Sequence, residues 1–559
     1  MEHNNPWVER AASDSSRVRR RQISLLVLWG ILIVGSSAAR TQGTAGPGPQ
    51  RAGAPPVATP PGQTPPPLSE ANQLYRSGKL DEAASAYKAI LRAQPKSALA
   101  YAGLARVYLK QGEIAGSYAA AARAVELAPA SGAARVAMGE VYFRQGKLTE
   151  AEVEFVALAN ANAKEPRAYL GLSRIYAATS NYRRSKGAID RAYAMDPGDP
   201  DIRWAWARTL PPDQQIREVQ VYLSSETDNN PEQRKELEED LRFLQSRAAH
   251  HCRPANNLSG METPLDRLLY DPHRLRAYGL EVKVNGVSSR LELDTGSRGI
   301  VISRKVAQRA GLNPVGQTEL SGVGDRGDPK AYFSYADSIK IGELELRDCY
   351  VTVVDKGAVP EDDGWIGTTV FSDYLVDVDF PREKLRLSEL PARPDDAVDN
   401  VGRASRLSWA DSHFHDRYIA PQMSNYTPVF RFGHLLLIRT RVDQSAPKLF
   451  LIDTGAFGNT ISPAAAREVT KVSADSDHGV RGVNGAVKHV FRAHDVTLNF
   501  ARLIQPKQDV VSFDTTGISN SVGTEVSGTL GFSMLRLLRI KIDYRDGLVD
   551  FVYDQSGKH

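Results

Sequence analysis

Three textures of apolar and polar positions follow one another along the chain. The first is a nearly unbroken apolar run from Ile23 to Val34, preceded by a polar stretch that carries Arg17, Arg19, Arg20 and Arg21. In the second, from about Leu68 to Asp199, apolar positions recur at helical spacing and the pattern repeats every 34 residues. Gly78, Gly112 and Gly146 keep that interval with Ser180 in the fourth place, and Leu74, Tyr108, Tyr142 and Tyr176 keep it too. Pro95, Pro129 and Pro197 close three of the repeats, and Ala83, Tyr87 and Ile90 correspond to Ala151, Phe155 and Leu158. Helix pairs are predicted, with the glycine opening the turn inside each pair and the proline ending it. Ile202, Trp204 and Trp206 are expected to cap the apolar end, and Pro231 to Arg247 reads as a charged amphipathic helix. From Tyr278 onward the third texture consists of short alternating strands, with a hairpin signal at Asn285-Gly286.

Inside that third texture the chain says the same thing twice. The strand-like run Leu291-Glu292-Leu293 ends on Asp294-Thr295-Gly296, and Leu449-Phe450-Leu451-Ile452 ends on Asp453-Thr454-Gly455. Nine residues after each aspartate stands Ser303 or Ser462, each followed by a helix-like stretch. Next comes a Gly-rich hairpin signal, carrying Gly322 and Gly324 in one half and Gly482 and Gly485 in the other. An apolar pair then meets Gly367 or Gly531, and twelve residues further on stand Asp379-Phe380 or Asp543-Tyr544. A last strand closes each half, Lys384 to Leu387 and Gly547 to Val552. An ordered series of this kind marks an internal duplication.

At these residues the chain resembles the aspartic peptidases, specifically bacterial retropepsin-like proteins with two lobes in one polypeptide. The resemblance implies that Asp294 and Asp453 form a catalytic dyad supported by Thr295, Gly296, Thr454 and Gly455, with Gly367 and Gly531 packed beneath. It implies that the glycines at 322, 324, 482 and 485 belong to hairpins over the substrate, for whose tyrosine Tyr332 and Tyr335 are candidates. Two carboxylates held close together share one proton, so one takes a proton from water while the other donates to the scissile carbonyl; no metal or cofactor is called for. With both aspartates in one chain the active site is expected to be monomeric. The halves differ after their triplets, Ser297-Arg298 against Ala456-Phe457, and an inward Arg298 would favour the ionised carboxylate and silence the chemistry. The 34-residue pattern resembles tetratricopeptide repeats. That implies an α-solenoid that binds a peptide or protein, a spacer being the alternative. The fold expected is therefore multidomain: an α-solenoid followed by a bilobal all-β peptidase, acting as an aspartic-type endopeptidase or persisting as a catalytically silent protein-binding scaffold.

Composition adds little to this picture and excludes some classes. The 559 residues are 42% hydrophobic and 24% charged, and the net charge of +4 is spread along the chain, which offers nothing to nucleic acid. The organisation expected is a signal peptide or signal anchor over 1–39 and a Pro-rich linker over 40–68, then four repeats over 69–199. A helical cap follows over 200–250 and a linker over 251–277, with peptidase lobes at 278–390 and 429–555 and a connector at 391–428. Arginines before a short apolar run, closed by Ser36-Ser37-Ala38-Ala39, export the remainder to the bacterial envelope under either reading of the first segment. Membrane contact would be confined to that segment, and the repeats would take a protein substrate or an envelope partner. Cys252 and Cys349 are the only cysteines, and their pairing is left open. Neither His250-His251-Cys252 nor His413-Phe414-His415-Asp416 has the ligand spacing of a metal site.

Overall fold

The computed structural model describes residues 66–161, 164–224, 238, 241–246, 248–250, 252–256, 258–325, 327, 329–354, 363–394, 414–475 and 478–553, and two short strands at 21–24 and 28–29. Apart from those two strands, the expected signal segment lies outside the described residues, as do most of the Pro-rich linker and much of the expected helix at 231–247. Among the described residues ten helices form the array: α1 (Leu68–Arg76), α2 (Leu80–Ala93), α3 (Ala98–Lys110), α4 (Ile114–Leu127), α5 (Gly132–Arg144), α6 (Leu148–Asn160), α7 (Pro166–Ala178), α8 (Tyr182–Met195), α9 (Pro200–Ala207) and α10 (Pro212–Ser224). Ser97 and Ser131 cap α3 and α5 by accepting from Ala100 N and Ala134 N, and Asp199 caps α9. The turns inside the pairs need a left-handed residue, supplied by Gly78, Gly112 and Gly146 at φ +73°, +77° and +73° and, in the fourth pair, by Ser180 at +56°. Gly103 lies under the Tyr87 ring, and Gly139 and Gly171 lie against Phe155 from two sides, so that a Cβ at any of them would enter the ring. Trp206 stacks on Tyr193 with ring centroids 3.8 Å apart and closes the apolar end.

The first helices of successive pairs face one another across a buried polar knot. Arg167 of α7 donates to Glu140 at 2.8 Å, Asp199 at 2.6 Å and Asp201 at 2.9 Å, and Lys110 of α3 reaches Asp201 at 2.8 Å. Arg76 at the end of α1 pairs with Asp196 at the end of α8. Pairing satisfies the buried charges of Arg167, Glu140 and Asp199, and that favours one curvature for the array rather than adding much stability.

The β part begins earlier than expected. Residues 251–277 are not a plain linker: Gly260–Pro264 pairs with Lys384–Glu389, and Asp266–Asp271 pairs with the strand that follows it. Register shifts at Leu268 to Asp271 break the period of two, which hides this hairpin from a pattern reading. Cys252 and Cys349 are joined in a disulfide, which ties the end of the helical cap to the first lobe.

Lobe 1 is a nine-stranded sheet built on β1 (Arg274–Val284), β2 (Val287–Asp294), β3 (Ile300–Ser303), β4 (Lys330–Ile341), β5 (Leu344–Val354) and β6 (Gly364–Gly367). Strands β7 (Tyr374–Asp379) and β8 (Lys384–Glu389) leave it for a second sheet. Lobe 2 repeats the arrangement with β9 (Leu435–Val442), β10 (Lys448–Asp453), β11 (Thr460–Ile461), β12 (Phe491–Phe500), β13 (Leu503–Ser512) and β14 (Gly528–Gly531), followed by β15 (Leu538–Asp543) and β16 (Leu548–Tyr553). Strand β7 pairs antiparallel with β15, so one six-stranded sheet spans both lobes. Their cores merge as well, with Ile366, Phe380, Ile452 and Phe532 in a single apolar cluster.

The array is packed against lobe 2. Leu148 and Ala178 lie buried among Leu435, Leu437, Leu449 and Leu451, and Phe143 meets Phe432 edge-on at 6.3 Å. Hydrogen bonds seal the rim: Glu525 N to Arg144 O at 2.9 Å, Thr524 Oγ1 to Phe143 O at 2.6 Å, and Tyr182 N to His415 O at 2.9 Å. Asp416 accepts from Arg184 N at 3.0 Å, so this part of the connector docks on the array.

Candidate active site

Each aspartate ends a buried strand because the triplet after it forces a turn that no side chain larger than hydrogen fits. A Cβ on Gly296 would strike the Asp453 carboxylate, and one on Gly455 would strike that of Asp294. Gly367 stands opposite Asp294 in the parallel β2–β6 register, and Gly531 stands opposite Asp453 in β10–β14. Beneath the turns there is no room for a side chain at either position, since it would meet the Ser297 carbonyl or the Gly458 carbonyl.

The threonines lock the two turns together. Thr295 Oγ1 donates to Ile452 O at 2.9 Å and accepts from Thr454 N at 3.0 Å. Thr454 Oγ1 donates to Leu293 O at 2.8 Å and accepts from Thr295 N at 3.0 Å. Asp294 Oδ1 accepts from Gly296 N at 2.7 Å, while Asp453 Oδ1 accepts from both Gly455 N at 2.9 Å and Ala456 N at 3.2 Å. Each carboxylate lies against the glycine of the opposite turn, and the Oδ2 atom of each is buried without a hydrogen-bond partner among the described residues.

Burial pushes both acids up. Asp294 is held well above the usual carboxylate range by burial, then by the Asp453 charge and by Glu292. Burial carries Asp453 to about 7, against the hydrogen bonds that favour its charged form. Two backbone N–H groups on Asp453 against one on Asp294 favour Asp453 as the anion of the pair.

Two glycine-bearing hairpins close over this pair. Gly482 and Gly485 pair across the turn Val483-Asn484, with Gly485 at φ +87°. Gly322 lies in the opposing hairpin, and Gly324, at φ +135°, fits against the Asn484 backbone so closely that a Cβ would overlap it. Asn484 N donates to Val323 O at 3.0 Å, Asp325 N to Ala486 O at 3.3 Å and Lys488 N to Asp325 Oδ2 at 2.6 Å. The tips also cross over. Val323 from lobe 1 packs with Ala456, Val480 and Val490 of lobe 2, and Val483 from lobe 2 packs with Val301, Leu320 and Trp365 of lobe 1. In this closed arrangement Asp294 is 1% exposed and Asp453 is fully buried.

Tyr332 and Tyr335 are not at the tips. Both lie on β4, Tyr335 stacked on His250 at 3.8 Å and Tyr332 under Arg304. His250 Nδ1 bonds Asp348 at 2.6 Å and Cys252 is oxidised, so both groups are engaged in structural contacts. Arg298 is exposed beyond its turn. The sequence reading missed Glu292, buried beside Asp294 and paired with Arg276 at 2.7 Å. It also missed Tyr544, whose hydroxyl bonds Thr368 next to Gly367. The mismatch between Glu292 and Leu451 at the same place in the two halves was the available signal.

Comparison with known proteins follows the same division. The aspartyl protease family model matches residues 280–370, and the tetratricopeptide repeat model matches 68–132, 104–166 and 136–200. No protein of curated function matches the chain. Among solved structures, an aspartic proteinase from Irpex lacteus is 12% identical, with 53% of this chain and 98% of that one covered and a TM-score of 0.33. A thermophilic repeat protein from Thermus thermophilus is 20% identical, with 32% and 96% covered and a TM-score of 0.27. Tetratricopeptide repeats and an aspartyl protease domain therefore stand together in this one chain.

Proposed function

We propose that the chain is an aspartic-type endopeptidase whose dyad is Asp294 and Asp453. The observation that carries this reading is the pair of buried carboxyl groups brought together across a lobe interface that the two threonines brace. In the proposed reaction a water between the outer oxygens gives a proton to Asp453 as it attacks the scissile carbonyl carbon. Asp294 donates its proton to the carbonyl oxygen, and collapse of the resulting diol passes a proton to the leaving amine. Substrate entry requires the crossed hairpins to part.

The closed hairpins over a dyad exposed by no more than 1% favour a second reading, a catalytically silent scaffold. The two separate in one experiment. Purified chain is incubated with a mixed peptide library from about pH 3 to about pH 8, spanning the range in which a shared-proton dyad titrates. Cleavage that disappears in both Asp294→Asn and Asp453→Asn supports the peptidase. No cleavage at any pH overturns it, and equal cleavage by all three proteins identifies a contaminant.

We further propose that the bulk of the chain is exported to the envelope, as a Cys252–Cys349 disulfide fits an oxidising compartment. Sequencing the mature N-terminus tests this, and a cytoplasmic, reduced protein would sink it. The repeats are proposed to bind a protein, either the substrate or an envelope partner.

A further inference from the structure

Side chains alternate along a strand, so Glu292 leaves β2 on the face that Asp294 uses. Its carboxylate accepts from Arg276 Nη1 of the adjacent β1 at 2.7 Å, and the two side chains are only 5% and 8% exposed. The matching position in the second half, two residues before Asp453, is Leu451, packed among Leu148, Leu437 and Leu449. Each triplet ends a strand that is apolar at the other positions just before it, so this is a break in the pseudo-symmetry beside the reacting groups. A buried carboxylate is costly unless paired, and the other lobe solves the same packing problem with a leucine.

The charged and titratable groups around Asp294 are Asp453 across the interface, Glu292 on its own strand, Arg276 on β1 and Tyr544 after β15; Arg298 is exposed beyond the turn. Burial raises the Glu292 carboxyl itself while Arg276 pulls it down, and in its ionised form Glu292 favours the protonated form of both aspartates. Arg276 is one strand further away and is spent on Glu292.

We propose that the Arg276–Glu292 ion pair is a positioning element for the dyad, fixing the pH range over which Asp294 and Asp453 share one proton. It touches neither water nor substrate in this role and acts only through the two aspartates. The inference rests on the peptidase reading above for its effect on rate, but not for its effect on titration.

The test uses the full-length chain and three variants, Glu292→Gln, Arg276→Gln and the double variant Glu292→Leu/Arg276→Leu, which imitates the second lobe. Two quantities are read: the pH–rate profile on a cleaved peptide, and the titration of 13Cγ-labelled aspartate, assigned by comparison with Asp294→Asn. Removing the Glu292 charge should move both limbs of the profile and the dyad resonances to lower pH. The double variant should move them the same way by less, and Arg276→Gln should move them to higher pH. Opposite displacements from the two single variants cannot come from loosened packing, which would lower the amplitude and leave the midpoints in place. Folded variants with unmoved midpoints overturn the proposal. If no protein cleaves any peptide yet the resonances shift as stated, the peptidase reading fails and the inference stands.

Discussion

Thr295 and Thr454, 159 residues apart, each donate a hydroxyl to a carbonyl of the opposite lobe and accept the other's backbone N–H. All four bonds are buried, so removal of one hydroxyl strands an amide donor and a carbonyl together. Replacing either threonine by valine keeps the shape and should destabilise the fold by about 2–6 kcal/mol, from two stranded groups at roughly 1–3 kcal/mol each. Thermal or urea unfolding reads the loss. Each substitution removes a different two of the four bonds, so the double variant should lose about the sum, and a departure from it would measure coupling across the interface.

The dyad should make stability depend on pH in a definite direction. An acid whose folded pKa is raised binds more protons folded than unfolded, so stability is full below the unfolded value and falls as pH climbs through the folded one. For Asp453 that window runs from the ordinary 3.8 up to about 7. Asp453→Asn should therefore flatten the decline of melting temperature across that window and be at least as stable as the parent near neutral pH. A variant that melts lower at every pH would identify a structural carboxylate. Loss of cleavage in the same variant should be at least about 100-fold, the low end for removal of a general base.

Closure of the crossed hairpins depends on Gly324. At φ +135°, against the Asn484 carbonyl, it has no room for a methyl group. Gly324→Ala should hold the tips apart, raising KM for peptides while the melting temperature stays close to that of the parent. Faster hydrogen exchange at the Asn484 amide, which donates to Val323 O, would report the open tips directly.

The contact between array and lobe 2 should behave as core rather than as a tether. Leu148 is 3% exposed and sits among the leucines of β9 and β10, the second of which ends on Asp453. Leu148→Ala should cost about 2–5 kcal/mol, the range for a truncated core leucine. It should lower the unfolding transition of the peptidase half together with that of the repeats. Two separate transitions, with only the array affected, would contradict this.

Breaking the disulfide should matter mainly through the unfolded chain. The bond closes a loop with a sequence separation of 97 residues. Cys252→Ser/Cys349→Ala should lose about 2–4 kcal/mol, the usual range for a native disulfide, with little change in peptide cleavage.

Much of the fold was legible because its signals are local. A strand that ends on Asp-Thr-Gly, a left-handed turn every 34 residues and an Asn-Gly hairpin at Asn285-Gly286 each declare themselves within a few residues. What stayed hidden is long-range or irregular. The bulged strand Asp266–Asp271 loses its alternation, so it passed for linker. Leu148 and Phe143 look like ordinary helix residues until lobe 2 is placed on them. Glu292 between Leu291 and Leu293 suggests a strand with one wet face, whereas both faces of this strand are buried and leave the carboxylate dry. The hairpin glycines were found, but the tip residues that land on the opposite lobe are two plain valines with no distinguishing pattern.

A string of helical repeats ordinarily behaves as a spring that can widen or tighten around whatever it grips. Here Arg76 holds Asp196 and Lys110 holds Asp201, so the opening helices are tethered to the closing ones, with Arg167 as the rivet between them. Those ties bias the coil toward the curvature it shows, so a protein that the repeats are proposed to bind would meet that shape first, along with its outer edges and ends.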